Sequence, residues 1–358
     1  MGISKLIKKA SPIILGRLFI IIIILNSCSS TNKTDIAINK SDSIADFNLL
    51  LDNSDIEIDG AHPIKFDGNI HYLAYLKNRD TISLYNVTSG KIFSNIGLKE
   101  DAVAICTKNN SIYVFYEYQN YYSLITIKDT ISINPSIVIK NIPPIFSQDL
   151  FISTNNTCNI HIVDSTQFLI PYKIEGGFKN MLDSFAYINC NTIFGDSSYK
   201  LVKFEHPEKY DYLYRPVTEF DFQSNNFIYG FQKSNIINIV NFTTKKSTQI
   251  KLDKFTSIEF PKDKIRNISY IRQYLKQNDR LDKILSTQNN NLYIIIKLAE
   301  SPKSKYRIYH WNSDQNKLDK TDINYTIYTS LAFVKNQKLY VPNEYNSYTI
   351  FTYDNSMQ

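Results

Sequence analysis

Through residues 46–358 the chain alternates short apolar runs with turns of Asn, Asp, Ser and Lys. Runs this short, alternating with period two and rich in β-branched and aromatic residues, predict β-strands. One unit recurs: a polar turn, a strand carrying tyrosine, a second polar turn, and a strand that ends near Asn or Asp. It is found at residues 69–75 with 81–86, 111–116 with 122–127, 226–231 with 235–241, 291–296 with 306–312, and 338–342 with 348–354. A weaker version runs through 167–170 and 184–188. Tyr72, Tyr113, Tyr229, Tyr293 and Tyr340 mark the units, at spacings of 41, 116, 64 and 47 residues, and the widest gap has room for two units. A period of about 40 to 60 residues suits a four-stranded blade with variable loops. A single blade leaves an apolar face uncovered, and stacking blades around an axis covers it. The pattern therefore predicts an all-β fold, a β-propeller of six or seven four-stranded blades over residues 46–358. The chain has no repeated Trp-Asp dipeptide, and Trp311 is its one tryptophan. An open stack would leave two free sheet edges. A closed ring predicts that the early segment around Phe47 and Leu51 pairs into the last blade, beside Tyr340 and Tyr348.

One stretch departs from the β pattern. Ile265, Ile268, Ile271 and Leu275 fall at helical steps of three and four, and Pro261 suits a first helical turn. A helical insertion near residues 262–277 is predicted, with Lys262, Lys264, Arg266, Arg272, Lys276 and Arg280 on the basic face. Such a face serves a partner or a membrane surface, or simply shows water a charged side.

The N-terminus has a different pattern. Lys5, Lys8, Lys9 and Arg17 precede an apolar run, residues 18–25, that is short for a membrane-spanning helix. The run ends Leu25-Asn26-Ser27-Cys28, the layout of a secretory signal cut before a lipidated cysteine. An uncleaved anchor is the alternative. Residues 1–27 are thus read as a lipoprotein signal peptide, Cys28 as the lipidation site, and residues 28–45 as a polar tether. The expected partner is the membrane through the lipid anchor. The expected location is the cell envelope.

This changes the charge picture. Residues 1–27 hold four basic and no acidic side chains, so removing them takes the balance from 40 against 34 to 36 against 34. The remainder is nearly neutral and gives no support for nucleic-acid binding. Apolar content of 43% supplies a substantial core. Three cysteines follow Cys28: Cys106, Cys158 and Cys190. An oxidising compartment permits a Cys158–Cys190 disulfide, which would stabilise by roughly 3–4 kcal/mol. The alternative is that both are reduced, buried thiols.

Candidate chemistry is sparse. Asp55, Glu57, Asp59 and Gly60 imitate the start of a calcium loop, but the twelfth position is Phe66 and isoleucines interleave the acids, as on a solvated strand face. Cys158 and His161 are spaced like half a metal site without a visible second half. The five histidines, His62, His71, His161, His206 and His310, are scattered and read as isolated or internally satisfied. Glu205-His206-Pro207-Glu208 reads as an exposed connection and Gly176-Gly177 as a hairpin. The chain contains no Gly-x-Ser-x-Gly, phosphate loop or His-Glu-x-x-His motif. No metal and no cofactor are expected.

The segment Leu25-Asn26-Ser27-Cys28, the block at residues 282–293 and the closing block at residues 332–341 together resemble lipoproteins of Bacteroidetes. They belong to a family of unknown function predicted to fold as six-bladed β-propellers. The resemblance implies architecture and an envelope location, and brings no catalytic residues. It also implies an anchor at the outer membrane facing the periplasm, since residues 29–35 lack the acidic cluster that in that phylum marks surface export. Two functions follow. The first is a non-catalytic binding or scaffold propeller for a glycan, peptide or envelope protein. The second is a propeller enzyme, such as a polysaccharide lyase or glycoside hydrolase, whose residues converge from several blades.

Overall fold

The structure, a computed structural model, describes residues 37–43, 59–66, 69–89, 91–116, 121–134, 137–138, 161–162, 167–173, 185–191, 200–203, 216–221, 223–257, 264, 267–287, 290–299, 305–344 and 347–352. Among them, 25 strands make six antiparallel sheets. The first strand, β1 (Ala37–Ser43), joins the last sheet. One sheet holds β2 (Asp59–Phe66), β3 (Asn69–Asn78), β4 (Thr81–Asn86) and β5 (Lys91–Gly97). The next holds β6 (Ala102–Lys108), β7 (Ser111–Tyr116) and β8 (Tyr121–Ile127), with β9 (Ile131–Ile133) and β10 (Ile137–Val138) both pairing β8. The third is β11 (His161–Ile162), β12 (Gln167–Lys173), β13 (Phe185–Asn191) and β14 (Lys200–Lys203). The fourth is β15 (Pro216–Asp221), β16 (Asn226–Phe231), β17 (Ile236–Asn241) and β18 (Ser247–Lys251). The fifth is β19 (Arg280–Ser286), β20 (Leu292–Lys297), β21 (Tyr306–Asn312) and β22 (Lys317–Ile323). The last joins β23 (Phe333–Lys335), β24 (Lys338–Pro342) and β25 (Ser347–Thr352) to β1.

The first strands of the sheets, β2, β6, β11, β15, β19 and β23, lie against one another in that order, and β23 returns to β2. They form an inner ring. The fold is a β-propeller built of four-stranded blades. Its core lies between sheets. Leu292, Ile294 and Ile296 of β20 pack toward the fourth sheet, onto Ile228 and Ile237. The alternate residues Tyr293 and Ile295 pack toward the last sheet, onto Leu339 and Phe351. Period-two alternation therefore gives each face of a middle strand its own neighbouring sheet. Tyr75 and Tyr85 of the first sheet meet Phe333 and Tyr348 of the last, which closes the sequence of packed faces.

The recurring turns have a physical basis. Asn86 Oδ1 accepts hydrogen bonds from the backbone N–H groups of Thr88 and Ser89 (2.9 and 2.8 Å). Asn241 does the same for Thr243 and Thr244 (3.1 and 2.8 Å), and Asn312 accepts from Gln315 N (3.0 Å). Each asparagine thus folds the chain between the third and fourth strands of its sheet. At the turn between first and second strands, Asn109, Asn225, Asn290 and Asn336 have φ between 47° and 62° in common with other turn residues of the chain. Asparagine tolerates this left-handed region, so these turns form without glycine.

Two boundaries differ from the sequence reading. The helix, α1 (Ile268–Lys276), begins at residue 268 rather than 262, because the Asn267 side chain caps it by accepting from Tyr270 N at 3.0 Å. Residues 258–263, with Pro261, lie outside the described residues. Polar residues at 28–45 were read wholly as tether, yet 37–43 form β1, which pairs antiparallel with β25 from Ala37↔Thr352 to Ser43↔Ser347. The unpaired backbone edge of β25 is enough to recruit a polar segment, since a ladder bonds main chain rather than side chains. Phe47 and Leu51, expected in that role, lie outside the described residues.

Candidate functional site: the channel inside the inner ring

The inner strands enclose a cavity of about 360 Å³. Its walls carry His62, Pro63 and Lys65 from β2, Cys106, Thr107 and Lys108 from β6, and His161 and Ile162 from β11. Glu219 and Phe220 come from β15, Lys283, Leu285 and Ser286 from β19, and Phe333 and Val334 from β23. All six sheets contribute. A smaller cavity of about 160 Å³ shares Lys65, Ser286 and Val334 with it, and adds Asp221, Gln223 and Lys335.

Polar bonds stitch adjacent inner strands together around this space. Thr107 Oγ1 donates to Pro63 O at 2.9 Å, and Lys65 N to Asn109 O at 2.9 Å. His161 Nε2 and Thr218 Oγ1 are 3.0 Å apart, joining β11 to β15. Ser286 Oγ donates to Glu219 Oε1 at 3.2 Å, and Lys283 Nζ to Ala332 O at 3.2 Å. These bonds fix the side chains they use, so the channel groups are held in place rather than loosely exposed.

Burial dominates their ionisation. It pushes the Glu219 carboxyl up to about 7, with Asp221 adding to the rise while Lys283, the Ser286 hydrogen bond and Lys65 oppose it. Burial also lowers His62 to about 3, with Lys283 adding to the effect, and lowers His161 to about 3, with His62 adding. Both imidazoles are therefore neutral at physiological pH. Burial raises the Cys106 thiol well above its ordinary range, which makes it unreactive. The Nε2 of His62 is buried and has no hydrogen-bond partner among the described residues. Asp221 is engaged locally, accepting from Gln223 N (3.0 Å) and Ser224 Oγ (2.5 Å). Among the described residues no group of three metal-ligating side chains forms.

Of the histidines read as scattered, the structure brings His62 and His161 into one cavity. No sequence spacing links them, because they lie on different sheets. His310 is elsewhere, buried with its ring 4.9 Å from that of Tyr293, and His71 is exposed beside Phe66. Cys28 and Cys158 lie outside the described residues, as do Asp55, Glu57, His206 and the Gly176-Gly177 pair. Cys190 sits on β13 opposite Phe168 of β12. Cys106 is a free, buried cysteine. Glu219 and Lys283 escaped sequence reading altogether. No helix among the described residues is long and apolar enough to cross a membrane.

No family model and no curated protein matches the chain. Solved structures do. A member of the DUF4221 family from Bacteroides vulgatus superposes with a TM-score of 0.60 at 13% identity, over 90% of this chain and 99% of that one. The β-propeller domain of Cps50 (Swd1) from Myceliophteria thermophila gives 0.43 at 10% identity, over 83% and 84%. BamB from Moraxella catarrhalis gives 0.39 at 9% identity, over 83% and 85%. At the first of these levels of likeness what is shared is the fold: the chain is a β-propeller similar to a Bacteroides protein of the DUF4221 family.

Proposed function

We propose that this chain is a non-catalytic binding propeller, anchored in the cell envelope through lipid on Cys28, whose six sheets act as six blades. Its recognition site is the channel, and its ligand is a glycan, a peptide or a segment of an envelope protein. The observation that carries this reading is the convergence of all six inner strands on one cavity of about 360 Å³ lined by fixed polar groups. That volume lies in the range of small-molecule sites, which combine apolar walls with a few placed polar groups. Leu285, Phe220 and Val334 supply the apolar part. The test is binding of the detergent-solubilised full chain to glycan and peptide libraries, repeated with Val334→Trp, which fills the channel. Binding lost in that variant supports the reading; binding retained there sinks the channel as the recognition site. For the anchor, Cys28→Ala should move the chain from the membrane to the soluble fraction, and unchanged detergent-dependent association would refute lipidation.

Glu219 favours a second reading. A carboxyl titrating near 7 is poised for general acid–base work. Glycoside hydrolysis uses two carboxyl groups, and the nearby Asp221 is held in a turn by Gln223 and Ser224. An enzyme would therefore need a substrate that brings its own second group. Turnover of a bound glycan, abolished in Glu219→Gln with binding intact, would decide for this reading.

A further inference from the structure

Resting on the channel-binding reading, we infer that the channel takes a small organic ligand by its anionic group, with Lys283 as the principal anchor. The cationic side chains facing the cavity come from three strands: Lys65 on β2, Lys108 on β6 and Lys283 on β19. Glu219 is the one carboxylate among the described residues lining that cavity. The wall therefore carries an excess of positive charge, although the chain without residues 1–27 is nearly neutral. Charge concentrated in a cleft with low-dielectric walls focuses its field on whatever enters.

Geometry singles out Lys283. Its ammonium is half-buried and positioned by its bond to Ala332 O at 3.2 Å. Charge-assisted hydrogen bonds to an anionic oxygen are about twice as strong as neutral ones. His62 lies on the same cavity wall and, being neutral, adds no charge to it. Glu219 opposes the anion when ionised, and its hydrogen bond from Ser286 holds it in the wall. Two residues thus have opposite expected effects, which a merely structural role would not produce.

Carboxylate and phosphate share this chemistry, so three probes with one pyranose skeleton separate the possibilities: D-glucose, D-glucuronate and D-glucose 6-phosphate. Calorimetric titration of the full chain in detergent at about pH 8 should show at least one anionic probe binding about tenfold or more tighter than glucose. Lys283→Met should reduce that preference about tenfold or more, while Lys283→Arg keeps most of it. Glu219→Gln should tighten the anionic probe several-fold. Thermal melts confirm that each variant is folded, and Lys283→Gln serves as a second variant should Lys283→Met fail to fold. A tighter glucuronate assigns a carboxylate ligand, and a tighter glucose 6-phosphate a phosphate ligand. Glucose bound as tightly as both anions, and lost in Val334→Trp, would overturn the anion assignment while leaving channel binding intact. Binding by none of the three would also overturn it, and the library experiment would then judge the wider reading. An anion preference unchanged in folded Lys283→Met, or in folded Lys283→Gln where the Met variant does not fold, overturns it as well.

Discussion

Where both are described, the second strand of a sheet and the first are buried in different ways. On β20, residues Leu292, Tyr293, Ile294, Ile295 and Ile296 are each at most 1% exposed. Neighbouring sheets cover both faces, so every side chain meets apolar surface. On the adjoining β19, Leu281 and Ile284 reach the same core, but Lys283, Leu285 and Ser286 line the channel. β16 and β15 repeat the contrast, with Phe227, Ile228 and Tyr229 buried on one and Glu219 at the channel on the other. Stability resides in the second strands. The channel groups are carried by the first, where one side of the strand is relieved of packing.

The largest effect that can break this comparison is a cavity in a second strand. Ile294 is fully buried, and Ile294→Ala removes methyl groups from the core shared with Ile228 and Ile237. A loss of about 2–5 kcal/mol is expected, read as a lower midpoint in denaturant melts. A loss under about 1 kcal/mol would mean that the sheets are not packed as described.

The same contrast governs how much was legible beforehand. The second and third strands were legible, because burial on both faces demands long apolar runs, and the turn after the third demands an asparagine such as Asn86, Asn241 or Asn312. The gap of 116 residues between marker tyrosines contains the third sheet, β11 to β14. The first strands were hidden. β11 has two residues and β23 three, and β15 reads Pro-Val-Thr-Glu-Phe-Asp. None of these shows a clear apolar alternation. The channel groups fared worse, since Glu219, Lys283, His62 and His161 come singly from four sheets. No spacing links them until the ring closes. β1 was hidden for another reason: its pairing with β25 uses main chain, and sequence periodicity reports side chains.

The next effect tests the first strands through pH. A carboxyl whose folded pKa lies at about 7 binds its proton more tightly folded than unfolded, near 4.5. Its cost to stability is absent below about 4.5, grows as pH rises, and is complete above about 7. His62 and His161 act oppositely: lowered to about 3, they stay neutral when folded, and stability falls as pH drops below the ordinary histidine value of 6.5. The two influences overlap, so the difference between wild type and Glu219→Gln is the informative quantity. That difference should shift by roughly 1–3 kcal/mol in favour of the variant between pH 4.5 and 7.5. A flat difference would mean that Glu219 is well hydrated.

A smaller effect sharpens the account of the turns. In Asn241→Ala the backbone N–H groups of Thr243 and Thr244 lose their acceptor, and Ser224 O loses the donor at 2.8 Å. Because the turn is exposed, water replaces part of this. A loss of about 1 kcal/mol is expected in equilibrium unfolding, without change in channel binding.

The smallest effect extends the comparison to the fourth strands. On β5 the pattern of exposure alternates, and Phe93 is 54% exposed. Its ring meets that of Tyr72 at 4.8 Å between centroids, on the rim rather than between sheets. Nothing beyond the fourth strand covers this face among the described residues, so little apolar area leaves water there on folding. Phe93→Ser should therefore cost less than about 1 kcal/mol, mainly the pairing with Tyr72. Denaturant melts alongside Ile294→Ala make the comparison internal to one protein. The expected order is second strand, then first, then fourth. A Phe93→Ser loss as large as that of Ile294→Ala would mean that the outer strands carry the core, and the division of labour between strands would have to be abandoned.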